Sequence, residues 1–189
     1  MDVAERFFKD AATTTASSED SFHRSYLHFI NFFASHDILT EHDIVIGCFF
    51  TYGWMPTILD LRGDLEPIVS TLNRVKLDGH FPNSEELQEL ASCINGSAVG
   101  ASKLLHFIRP DLHAIWDSRV YRYLYQKQPH PYRLKAPGAY RNYLEIVKEL
   151  SEDNRTEALK VRLEEEIGYP VSRNRIIEYV MFFNGVRAK

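Results

Sequence analysis

Cysteine is scarce in this chain of 189 residues. Cys48 and Cys93 are the only two, too few for a disulfide framework, and no Cys/His spacing resembles a zinc site. The N-terminus Met1-Asp2-Val3-Ala4-Glu5 is acidic and lacks the basic-then-apolar order of a secretory signal. Long apolar runs are missing as well: the longest, Ile44 to Met55, carries Gly47 and Gly53 and falls short of the ~20 residues a membrane span needs. These absences predict a soluble, cytoplasmic protein with no membrane partner. The phosphate-cradling GxxxxGK(S/T), the dinucleotide GxGxxG, the zinc HExxH and the nucleophile GxSxG are all absent. Among the eight histidines, His23 and His28 are five apart and His106 and His113 seven apart across Pro110, so none gives the i, i+4 pair that presents two imidazoles from one helix face. No metal and no cofactor are expected.

What is present is ordinary globular material, 44% hydrophobic and 25% charged, enough apolar surface for a real core and of a size for one domain over 1–189. The net charge of −4 is unevenly spread. Residues 1–100 carry 6 Lys/Arg against 15 Asp/Glu, and residues 101–189 carry 16 against 11. The chain thus divides into an acidic half and a basic half. Between Lys103 and Arg141 eight basic residues face only Asp111 and Asp117, with Phe107, Trp116, Tyr121, Tyr123, Tyr125, Tyr132 and Tyr140 interleaved. A basic stripe with aromatic rings suits a phosphate-contacting face, and suits a solvated surface equally well.

Apolar spacing is helical almost throughout, which predicts an all-α chain. Phe22, Tyr26, Phe29, Ile30 and Phe33 follow three- and four-residue steps after the start signal Ser17-Ser18-Glu19-Asp20. Further helices are predicted over 44–54, 65–75, 85–93, 101–108, 119–125, 140–150 and 156–167, with a last one starting at Ser172. Residues 128–138, with three prolines and Gly138, read as a loop.

Residues 90–125 carry the most information. They read as a helix, a glycine-containing hairpin over Gly96-Ser97-Ala98-Val99-Gly100, a second short helix beginning near Lys103, an extended link through His113-Ala114-Ile115, and a third helix capped by Asp117. This arrangement resembles the helix-hairpin-helix DNA glycosylase superfamily, in particular small bacterial proteins with the 8-oxoguanine DNA glycosylase fold. In the bifunctional members a lysine opens the second hairpin helix and an aspartate begins a helix of the type Asp-(Thr/Ser)-x-Val-x-Arg. Here Asp117-Ser118-Arg119-Val120-Tyr121-Arg122 matches the second element, and Lys103 occupies the place of the lysine, 14 residues earlier.

The resemblance implies a compact α-helical domain that excises a damaged or modified base from DNA, 8-oxoguanine-like or an unusual base such as a modified pyrimidine of phage DNA, in repair or in defence. Lys103 would be the nucleophile and Asp117 the electrostatic and proton-transfer group. The residue types suit that chemistry. Breaking an N-glycosidic bond builds positive charge on the sugar, which a carboxylate stabilises. A neutral amine can attack C1′, and burial among Leu104, Leu105 and Phe107 favours the neutral form. An extruded base needs aromatic walls, for which Tyr52-Gly53-Trp54-Met55-Pro56 is the best stretch. Ser102, Arg119 and Arg122 are candidate phosphate ligands, as are Arg173 and Arg175, and His106 is a candidate substrate contact. Glu178 reads as the charge partner of a helix arginine. No protein partner is required. Two other readings stay open: a non-catalytic DNA-binding module of the same fold, and a helical protein-interaction domain using the acidic half.

Overall fold

Helix caps written into the sequence set most element boundaries in the structure, a computed structural model that describes residues 2–55, 57–135 and 137–186. Asp20 accepts from the Phe22 N–H and starts the helix Ser21–Ala34. Thr40 and Asp43 form a capping box for Glu41–Gly53, and Asn83 and Glu86 form one for Ser84–Cys93. Ser97 caps Ala98–Ile108, Asp117 caps Ser118–Tyr125 and Ser172 caps Arg173–Asn184. With Val3–Ala11, Glu66–Asp78, Pro131–Lys135, Pro137–Glu152 and Arg155–Ile167, eleven helices are found among the described residues, numbered α1 to α11 in chain order. No strand forms among them; one isolated bridge pairs Leu61 with Ile94.

Three expectations are corrected. The segment 128–138 is largely helical: Pro131 and Pro137 stand at the first positions of α8 and α9, where the missing N–H goes unused and the fixed φ suits the helix. The second hairpin helix starts at Ala98, so Lys103 lies one and a half turns inside α6 instead of near its start. Helix α1 was not among the predicted elements. It is short, and it is held by docking, since Arg6 donates to the carbonyls of Tyr123 at 2.8 Å and Leu124 at 3.3 Å.

Helix α6 is the hub of the first half. Every residue from Gly100 to Ile108 is buried, and α2, α3, α4, α5 and α8 pack around it. Helix α11 does the same for the second half, against α1, α7, α9 and α10. One connected cluster of buried apolar side chains runs through both, from Phe7 to Met181.

The hairpin between α5 and α6 turns on Asn95 and Gly96, both with left-handed backbone at φ 59°. Gly96 adopts that conformation without steric penalty, and Asn95 is among the few residue types that tolerate it. The Asn95 amide then ties the turn to the segment before α4, accepting from the Asp60 N–H at 2.7 Å and donating to the Ile58 carbonyl at 2.9 Å. The helix-hairpin-helix element followed by an aspartate-capped helix is therefore present.

Candidate active site

Asp117 takes its place from the link that precedes it. Trp116 is fully buried between Tyr121 and Tyr143, at ring separations of 5.9 and 5.2 Å, and its indole N–H donates to the Leu134 carbonyl at 3.2 Å. The Trp116 backbone N–H donates to the Ser102 hydroxyl at 3.0 Å, and that hydroxyl donates to the Val99 carbonyl at 2.9 Å. Ser102 adjoins Lys103 and Trp116 adjoins Asp117, so this bond clamps the two candidate catalytic positions to each other. Asp117 caps α7 through one oxygen only: Oδ1 accepts the N–H groups of Arg119 and Val120, both at 2.8 Å. Its Oδ2 has no partner among the described residues.

Lys103 and Asp117 open into one cleft of about 770 Å³. The Lys103 side chain is buried, and burial lowers its pKa; Asp117 and Glu178 oppose that shift and Arg175 adds to it. The ammonium makes no ion pair within 4 Å among the described residues, so no direct partner fixes the proton on the amine. Arg119 lies over the Phe182 ring at 4.4 Å and also faces the cleft.

The walls are aromatic. Trp54 ends α3 and packs against Phe107 at 4.9 Å and Phe22 at 5.5 Å, while its indole N–H donates to the Ser25 hydroxyl at 2.7 Å. Trp54 is thus both a core residue and a wall of the cleft. The rim carries Phe22 and Phe183, 40% and 46% exposed. Helix α11 supplies the floor through Arg175, Glu178, Tyr179 and Phe182, which follow i, i+3, i+4, i+7 steps on one helix face. Arg175 and Glu178 form a buried ion pair, as the sequence suggested for Glu178. Arg175 stays charged, while burial pushes the Glu178 carboxyl upward against the pull of its partner. His23, also on the cleft, is held neutral by burial and by Arg175, with a pKa of about 4.

Other predicted contacts lie elsewhere. Ser102 is fully buried in the clamp and is no phosphate ligand. His106 is fully buried; its Nδ1–H donates to the His113 carbonyl at 2.6 Å and its Nε2 accepts from the Tyr26 hydroxyl at 2.8 Å, so both ring nitrogens are engaged. Tyr52 is buried and donates to the Ile94 carbonyl at 3.0 Å, supporting the hairpin instead of walling the cleft. Arg122 does not line the cleft, and its Nε donates to the Gly185 carbonyl at 3.0 Å. The pairing needs Gly185 itself: a Cβ there would lie 2.0 Å from the Arg119 carbonyl oxygen. Arg173 pairs with Glu157 on the surface.

The sequence reading missed Phe22, His23, Tyr179, Phe182 and Phe183. The i, i+3, i+4, i+7 face of α11 was a usable signal, but such a stripe more often marks a core face. Compared with known protein families, with curated proteins and with solved structures, the chain matches none. No metal-binding group of three or more His, Cys, Asp or Glu occurs among the described residues, and no helix there is long and apolar enough to cross a membrane.

Proposed function

We propose that this protein is a DNA glycosylase with abasic-site lyase activity, acting on a damaged or modified base. The observation that carries the reading is the shared cleft: a buried amine without an ion-pair partner and a carboxylate with one uncommitted oxygen, among aromatic rings.

The chemistry follows from those groups. A base extruded from the duplex stacks against Trp54 and the rim phenylalanines. The neutral Lys103 amine attacks C1′ while the N-glycosidic bond breaks, its electron pair leaving with the base, which takes up a proton. Asp117 stabilises the positive charge that builds on the sugar and takes the proton the attacking amine sheds. The C1′–O4′ bond then opens to a protonated imine. Loss of a C2′ proton expels the 3′ phosphate by β-elimination, and water hydrolyses the imine to release Lys103. Arg119 at the cleft mouth is placed to contact a flanking phosphate.

The test is strand scission of a duplex carrying one abasic site. The wild-type protein leaves a 3′ unsaturated aldehyde product, and Lys103→Met leaves the strand intact. Salt-sensitive binding without any scission would favour a DNA-binding module that has no catalysis.

A further inference from the structure

The ion pair on the cleft floor has more hydrogen-bonding capacity than the protein uses. Arg175 donates one side-chain hydrogen bond, from Nη1 to Glu178 Oε2. Among the described residues the other N–H groups of its guanidinium have no acceptor, and Glu178 Oε1 has no donor. Both residues are buried and both line the cleft. The guanidinium is held over rings, 5.0 Å from the centre of Tyr26 and 5.6 Å from that of Trp54, which fixes its plane. A buried ion pair is weak support for a fold, since apolar residues of similar volume often replace one without loss. What such a pair supplies in an aromatic-walled cleft is a few placed polar groups that orient a ligand.

We infer that Arg175 and Glu178 read the edge of the extruded base, and that they select a base carrying a ring N–H beside a carbonyl. This rests on the glycosylase reading above, which puts the sugar at Lys103. The order of the two groups decides the class. Lys103 feels Asp117 most strongly, then Glu178, then Arg175, whose guanidinium lies among Tyr26, Trp54 and Tyr179. Outward from the sugar, the base therefore meets an acceptor first and a donor beyond it. Guanine-type bases and hypoxanthine offer N1–H and then O6, 8-oxoguanine offers N7–H and then O6, and uracil offers N3–H and then O4. Adenine and cytosine present the reverse, a ring nitrogen acceptor and then an amino group, and would set acceptor against acceptor and donor against donor.

The experiment compares matched bases on the intact protein. Duplexes carry one 2′-fluoro nucleotide, which resists cleavage, with hypoxanthine, adenine, uracil or cytosine as the base. Each affinity is divided by that for the same duplex with a tetrahydrofuran abasic analogue. The expected result is about tenfold preference or more for hypoxanthine over adenine and for uracil over cytosine. The Arg175→Met/Glu178→Met double variant, which keeps side-chain volume without charge, should bring both ratios to near one. Glu178→Gln, which preserves the shape of the pair, should lower them and serves if the double variant does not fold. Equal affinities in the wild type, or a preference that survives these substitutions, would overturn the inference while leaving the glycosylase reading intact. Failure of the wild-type protein to cut abasic DNA would overturn both.

Discussion

The Ser102 hydroxyl accepts the Trp116 N–H at 3.0 Å across 14 residues of chain, and this bond holds α6 against the link into α7. Neither residue touches the cleft, yet each adjoins one that does. Ser102→Ala removes the acceptor and leaves a buried N–H unpaired, a loss of about 1–3 kcal/mol. Chemical denaturation should show that loss, and abasic-strand scission should slow because Lys103 and Asp117 are no longer clamped.

Lys103 should make the protein less stable at neutral pH. Its folded pKa lies below the unfolded value of 10.5, so the unfolded state binds the proton more tightly. The sign is that stability rises with pH as the medium approaches that unfolded value, and the penalty is fully present below the folded value. Lys103→Met should therefore melt at a higher temperature than the wild type at pH 7, with the gap narrowing toward pH 10. Thermal melts at both pH values check this, and a gap independent of pH would contradict it.

Acid should unfold the protein through its buried histidines. Burial holds His106 at about 3 and His113 at about 4, against 6.5 in the unfolded chain. Each is neutral when folded and takes a proton on unfolding, so stability falls as pH drops from about 6.5 through 4 to 3. Denaturation midpoints measured between pH 7 and 4 should decline, and His106→Gln should flatten the decline while lowering stability at pH 7 by weakening its bonds to Tyr26 and His113.

The Tyr143 hydroxyl is buried behind the cleft with no partner among the described residues, and burial pushes its pKa well up. Removing an unsatisfied buried hydroxyl relieves a desolvation penalty of about 1–3 kcal/mol. Tyr143→Phe should match or exceed the wild type in stability, whereas most core substitutions destabilise; urea denaturation reads the difference.

How much of this was legible in the sequence depends on the kind of signal. Caps with a following apolar run, such as Asp20, Asn83, Asp117 and Ser172, mark helix starts through local hydrogen bonds, and local bonds are visible in local sequence. The place of Lys103 and Asp117 on one cleft followed from the hairpin resemblance. The fates of Ser102, His106 and Tyr52 were not legible, because their partners Trp116, Tyr26 and Ile94 lie 14, 80 and 42 residues away. The proline-rich stretch 128–138 misled for a different reason: proline stops a helix from its interior and starts one from its first position, and composition alone does not tell which.

The central claim is that Lys103 is a nucleophile, and trapping tests it most directly. Borohydride reduces the protonated imine to a stable amine, so incubation with abasic DNA and borohydride should link protein to DNA, with peptide mass spectrometry placing the sugar remnant on Lys103. Asp117→Asn keeps the cap, since Asn caps a helix as well as Asp, and should fold normally while forming adduct far more slowly. Absence of any adduct from the wild-type protein, or a remnant mapped to another residue, would contradict the account.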